Sequence, residues 1–233
     1  MVKSKKFTIT LEEFFKDKIT NEWLFILKNF AETLELKKDE RVFNEGDKVK
    51  GIYLINSGKV KVISKYNDEN ERILRLSHGG HLLGHRAISA TNYPISAVAL
   101  TDIIVTFIPL EVFIKLLRNN PDFAVYLVEF YALDLRNSED RMKSMIHNDV
   151  LVRIAIILCM LIDSYGYDEV EPNQLHYTLP RNDIANLAGT SYESVIRTLK
   201  KLEEMKLIKL VSKKIVILKE KDLRKMTLIK SRF

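Results

Sequence analysis

The chain has 233 residues, 46% of them hydrophobic and 29% charged, with a formal net charge of +6 and one cysteine. That length suits two domains of ordinary size, and that apolar content excludes wholesale disorder. The lone thiol, Cys159, excludes an intramolecular disulfide and a four-cysteine iron–sulfur cluster, and inside the apolar run Ile154–Ile162 it reads as a small buried hydrophobe. The opening MVKSKKFTIT carries no apolar core of a secretory signal, and Ile154–Ile162, flanked by Arg153 and Asp163, is too short to span a bilayer. The expectation is a cytoplasmic protein with no membrane partner.

Residues 8–34 predict one or two amphipathic helices, with Leu11, Phe14, Phe15, Trp23, Leu24, Leu27, Phe30 and Leu34 as the apolar set. From Leu36 to Pro109 the period changes to two. Strands are expected at Arg41–Phe43, Gly51–Ile55, Lys59–Ile63 and Arg72–Leu76, with more strand-like sequence over Ser96–Ile108. The turns between them are Glu45-Gly46-Asp47, Asn56-Ser57-Gly58, Asn67 to Asn70 and Gly79-Gly80. Turn signals at this spacing argue a β-barrel or β-sandwich.

Leu110 to Met145 reads as helical, broken into a short and a long piece at Pro121-Asp122. Along the long piece Phe123, Leu127, Phe130, Leu133 or Asp134, Asn137 and Arg141 trace a seam near a 3.5-residue period that turns polar after Leu133. Two readings fit it: packing on the chain's own barrel, or a seam between two copies. Asn148-Asp149 can cap the next helix, Val150 to Tyr165, and Gly166 to Gln174 is a turn-rich, acidic loop.

Leu179 to Glu204, LPRNDIANLAGTSYESVIRTLKKLEE, predicts a helix-turn-helix. Pro180 suits a helix start, and Gly189 suits a helix end that passes through positive φ. Thr190 and Glu193 have the spacing of a capping box. In the second helix Val195, Leu199 and Leu202 repeat as an inward face, and Glu193, Arg197, Lys200 and Lys201 lie opposite. Glu193 and Arg197 could be only an i,i+4 staple worth about 0.2–0.5 kcal/mol. Arginine can equally bond the O6/N7 edge of guanine, and glutamate can accept from cytosine N4. Leu207–Val211, Ser212-Lys213-Lys214 and Ile215–Leu218 follow as a hairpin with a basic tip, a wing. Residues 175–233 hold 14 Lys and Arg against 6 Asp and Glu, whereas residues 1–174 hold 23 against 25. The positive charge sits where a phosphate backbone would be met.

Phe43-Asn44-Glu45-Gly46-Asp47 and Ile52 to Val62, followed by this helix-turn-helix, resemble the Crp/Fnr family of bacterial transcription regulators over about Leu36 to Leu218. The resemblance implies an α+β fold: an N-terminal β-roll of the double-stranded β-helix or jelly-roll type, a long dimerisation helix and a C-terminal winged helix-turn-helix. It implies an effector domain over residues 1–147, including the dimerisation helix at about 110–147, and a DNA-binding domain over 148–233. It further implies a homodimer with Phe123, Leu127 and Phe130 in the seam, a palindromic site on double-stranded DNA, and RNA polymerase as a partner. Glu193 and Arg197 match the family's base readers, whereas Tyr192 departs from its pattern. Thr190 and Ser191 begin the recognition helix, and Arg181, Lys200, Lys209, Lys213 and Lys214 are candidates for phosphate contacts.

By the same resemblance the effector pocket involves Gly84, His85, Arg86, Ser96, Ala97 and, on the long helix, Ser138, whose neighbour Glu139 departs from the usual small hydroxyl. His85 stands where the family's ribose-binding glutamate would be and Ile95 where its phosphate-binding arginine would be. A buried phosphate without a paired cation is costly. Cyclic AMP is therefore not expected, and the cofactor stays unknown. His78, His81 and His85 leave open an alternative, a haem- or metal-based redox or gas sensor on the same scaffold, although no metal ligands are assigned. No Gly-rich phosphate loop, Ser/His/Asp set or carboxylate pair suggests an enzyme.

Overall fold

A computed structural model describes residues 8–67 and 70–228. The chain gathers into two compact units that divide between Asp134 and Leu135, and each is taken in turn. Among the described residues, no helix is long and apolar enough to cross a membrane. Of the turn expected over 67–70, Asp68 and Glu69 lie outside the described residues, as do residues 1–7 of the opening segment.

The first unit begins with α1 (Leu11–Phe15), entered through a capping box in which Thr10 Oγ1 accepts from Glu13 N–H at 3.1 Å and Glu13 Oε2 accepts from Thr10 N–H at 2.9 Å. Thr20 caps α2 (Asn21–Phe30), its hydroxyl accepting from Trp23 N–H at 3.4 Å. Leu34 does not continue that helix. It lies in strand β1 (Glu32–Leu36), which pairs with a strand that follows 70 residues later. Pairing at that distance leaves no mark in the local pattern.

Two four-stranded antiparallel sheets follow, made of β2 (Arg41–Phe43), β3 (Gly51–Ser57), β4 (Lys59–Asn67), β5 (Asn70–His78), β6 (Leu82–Leu83), β7 (Ser96–Ala99) and β8 (Ile103–Pro109) together with β1. One sheet runs β1-β8-β3-β6 and the other β2-β7-β4-β5. Strand β3 shows why both faces of the first sheet are apolar. Ile52 and Leu54 point to one core, Tyr53 and Ile55 to another, the period-two alternation of a strand covered on both sides. The core between the sheets stacks Phe43 on Tyr93 at 4.1 Å and on Tyr53 at 5.6 Å. The other core lies under α1, α2, α3 (Leu110–Asn119) and the start of α4 (Pro121–His147), with Phe123 against Phe15 at 5.0 Å and Phe113 at 5.9 Å.

The second unit holds the remainder of α4, then α5 (Val150–Tyr165), α6 (Arg181–Ala188), α7 (Tyr192–Glu204), β9 (Ile208–Val211), β10 (Lys214–Ile217) and α8 (Glu220–Leu228). Asp149 caps α5, accepting from Val152 N–H at 3.0 Å. Cys159 is buried in that helix, and burial pushes its thiol up to about 11, so it behaves as the small hydrophobe expected. Helix α8, which the charge-rich sequence after Leu218 did not suggest, packs on α5 through Leu223 and an Arg224–Asp163 ion pair at 2.6 Å. The observed class is α+β, a β-roll with helices and a helix-turn-helix.

Candidate nucleic-acid interface and sensing pocket

Helix α6 ends at Gly189 in the left-handed conformation (φ 58°, ψ 49°), which an added Cβ would strain. Thr190 N–H then donates to the Ala185 carbonyl at 3.0 Å and closes the turn. The N-cap of α7 is therefore Ser191, not Thr190: the Ser191 hydroxyl accepts from Ser194 N–H at 3.2 Å. The capping position expected at Thr190 moves by one residue because the turn needs both Gly189 and Thr190. Glu193 leans back to this end, its carboxyl held below the ordinary range by hydrogen bonds from its own N–H and from the Ser191 side chain.

One face of α7, with Val195, Thr198, Leu199 and Leu202, is buried. Tyr192, Glu193, Arg197, Lys200 and Lys201 are exposed on the others. Among the described residues no ion pair joins Glu193 to Arg197; Arg197 Nη2 instead donates to Ser194 Oγ at 3.3 Å, and that oxygen lies 3.2 Å from Ser191 Oγ. The staple reading thus has no contact behind it. Ser194, which sequence reasoning passed over, links the cap to the arginine.

The wing is a two-stranded ribbon with Val211 opposite Lys214, turned by Ser212 at φ 54°. It is extended by a third segment, in which Leu175 N–H donates to the Ile215 carbonyl and Ile217 N–H to that of Asn173. Lys209, Lys213 and Lys214 are exposed on it, and Arg181 is half-buried at the start of α6. Recognition-helix side chains and wing lysines belong to one compact unit.

In the first unit, Gly84 opens a single 3-10 turn, η1 (His85–Ala87), at φ 77°. Of the residues expected to line an effector pocket, Ser96 and Ala97 are fully buried and His85 is 1% exposed. Ser96 Oγ accepts from Glu45 N–H at 2.8 Å, and Ile95 belongs to the core between the sheets. Burial pushes the His85 pKa down to about 3, helped by the charge of Arg75, so the imidazole is neutral. Its ring meets Phe130 edge-on at 5.2 Å and Tyr131 at 5.4 Å. Arg86 is turned to Asp134, Nη2 to Oδ2 at 2.5 Å. Ser138 is grouped with the second unit, where its hydroxyl accepts from Arg141 at 2.9 Å.

The three histidines do not converge. The His78 and His81 rings lie 4.0 Å apart, tilted by 35°, while His85 is buried against aromatic rings, and among the described residues no three His, Cys, Asp or Glu side chains gather as metal ligands would. The sensor alternative built on them has no cluster to rest on.

The seam expected at Phe123, Leu127 and Phe130 needs correction. Phe123 is fully buried and Leu127 is 4% exposed, both inside the chain's own core, and Phe130 packs against that core. The exposed face of α4 carries Val125, Val128, Ala132, Leu135, Glu139, Met142 and Ile146. These positions alternate by three and four, the spacing of an a/d heptad, with Glu139 its one charged member.

A family model described as a cyclic nucleotide-binding domain matches residues 33–120, and one described as a Crp-like helix-turn-helix domain matches residues 152–226. The chain is 24% identical to the fumarate and nitrate reduction regulatory protein of Vibrio cholerae, over 81% of this chain and 75% of that protein. It is 27% identical to the transcriptional activator protein Anr of Pseudomonas protegens, over 78% and 75%. Among solved structures, FixK2 from Bradyrhizobium japonicum matches with a TM-score of 0.75 at 21% identity, covering 84% of this chain and 96% of that one. A CooA mutant from Carboxydothermus hydrogenoformans matches at 0.74 and 18% identity, covering 94% and 96%. At these identities the structural likeness speaks for the fold.

Proposed function

Because the chain belongs to the Crp/Fnr family of transcription regulators, we propose that it works as a homodimer on a two-fold DNA palindrome, with α7 in the major groove and the wing on the phosphates. The outward heptad face of α4 joins the two copies. Half-site centres then lie about one helical turn, roughly 34–36 Å, apart. The family consists of DNA-binding regulators rather than enzymes. RNA polymerase as the partner that reads the bound state rests on the family alone.

The observation that carries this reading is the exposed polar face of α7. Glu193 and Arg197 are not paired with each other; both are exposed, the glutamate held back to the start of α7 and the arginine held by Ser194. Arg197 suits a guanine and Glu193 a cytosine N4–H. The sensing pocket answers to something other than cyclic AMP: Ile95 and Ser96 are buried, the Ser96 hydroxyl is engaged by Glu45, and Arg86 is engaged by Asp134.

Selection of a binding site from random duplexes, followed by two substitutions, tests the reading. Arg197→Ala should cost about 1–3 kcal/mol and relax one base position, whereas Lys213→Ala should weaken all sequences alike and lower the salt slope by about one. Unchanged base preference in Arg197→Ala would reduce α7 to a non-specific DNA contact.

A further inference from the structure

The turn η1 and one stretch of α4 grip each other by three kinds of contact. The Tyr131 hydroxyl donates to the His85 carbonyl at 2.5 Å, the His85 ring lies against Phe130 and Tyr131, and Arg86 pairs with Asp134. Tyr131 and Asp134 are three residues apart and so share one side of the helix. The ion pair is mostly shielded, with side-chain exposures of 34% for Arg86 and 13% for Asp134. Burial alone would raise the Asp134 carboxyl, yet the Arg86 hydrogen bond and the charges of Arg75 and Arg86 hold it below the ordinary range. Arg75, on β5, is itself 8% exposed, so two cationic groups of the roll, one on a strand and one in η1, bear on one helix carboxylate.

Partly buried ion pairs contribute little net stability against apolar replacements, and their best-attested use is to fix register. Asp134 is placed for that use. It is the last residue of the first compact unit, and α4 runs on unbroken from it to His147 in the second. From this arrangement we infer that the Arg86–Asp134 pair is a clasp by which the roll sets the register of α4, and through that helix the DNA affinity of the molecule. The inference rests on the reading of the chain as a DNA-binding regulator, and it assigns a regulatory role to two residues of its sensing unit. An effector that took Arg86 away from Asp134 would release the helix.

The test uses the full chain with Arg86→Met, Asp134→Asn and the charge swap Arg86→Glu/Asp134→Arg. Amide hydrogen exchange over residues 128–134 should quicken in each single variant and slow again in the swap. Operator affinity should change in both singles in the same direction, on the order of tenfold as is usual for coupling between sites, and the swap should restore it. Faster exchange with unchanged operator affinity would make the pair a local brace and overturn the inference, as would unchanged exchange in the singles or a swap that restores neither readout. Failure of the wild-type chain to bind any operator would count against the regulator reading instead, because the exchange readout needs no DNA.

Discussion

Replacing Leu135 by alanine tests which face of α4 joins two copies. Leu135 is 62% exposed, and its neighbours in the heptad, Val128 and Met142, are 66% and 60% exposed. Fully burying a leucine side chain is worth about 1.5–3 kcal/mol, so covering what is exposed here contributes about 1–2 kcal/mol per copy, of which alanine keeps a small part. A two-fold dimer carries the substitution twice. The loss is then about 2–3 kcal/mol per dimer, a rise of about 30- to 150-fold in the dissociation constant. Leu127→Ala is the contrast: it is 4% exposed and lies among Phe14, Phe113 and Phe123. It should cost about 2–5 kcal/mol of folding stability and leave association alone. Sedimentation equilibrium reads the first quantity. Denaturant unfolding followed by Trp23, the only tryptophan and a residue of the first unit, reads the second. Dissociation by Leu127→Ala with none by Leu135→Ala would refute the outward seam.

His85 gives a pH prediction. Its pKa is pushed down to about 3 by burial and by Arg75. In the unfolded chain it titrates near 6.5, so the unfolded state takes up the extra proton; the stability is present above that pH and is lost as the pH falls toward 3, by about 2 kcal/mol between pH 7 and 5. Trp23-monitored unfolding of His85→Gln should show a shallower pH dependence than the wild type by that amount, and equal slopes would mean the ring reaches water. For cyclic nucleotides, the apolar Ile95 in place of a phosphate partner should cost about 3–5 kcal/mol, enough to move a micromolar site to the millimolar range. Calorimetric titration should therefore detect no low-micromolar binding of cyclic AMP or cyclic GMP. Such binding, if lost in Arg86→Ala, would show that Arg86 leaves Asp134 for the phosphate; if it survived, the pocket lies elsewhere in the roll.

The helix-turn-helix was legible because its signals are local. A glycine that must turn left-handed, an apolar repeat at 3.6 residues and basic strands after it all lie within 40 residues. The cap slipped by one, from Thr190 to Ser191, because either hydroxyl can serve and only the turn's own hydrogen bonds decide. The sensing pocket was less legible. Three histidines close in sequence leave a metal site open, whereas His85 is covered by Phe130 and Tyr131, which arrive about 45 residues later. Arg75 and Asp134 lie far apart in the chain, and no local pattern ties either to Arg86.

Helix α4 shows what a period leaves open, because spacing defines a stripe and not the side it faces. Two apolar stripes run along it at the same spacing, Phe123, Leu127 and Phe130 on one side and Val125, Val128, Leu135, Met142 and Ile146 on the other. Periodicity alone cannot say which stripe faces home. The aromatic one does: Phe123 meets the rings of Phe14, Phe15 and Phe113 at 6.5, 5.0 and 5.9 Å, and Leu127 is buried in the same core. Having two stripes also restricts how the helix can move. Rotation by one residue, about 100°, would carry Phe123 and Leu127 out of the core, each at a loss of about 1.5–3 kcal/mol, and would turn the heptad face away from a second copy. On the inference drawn above, a signal from the roll would slide or tilt α4, motions that the Tyr131 hydrogen bond and the Arg86–Asp134 pair oppose.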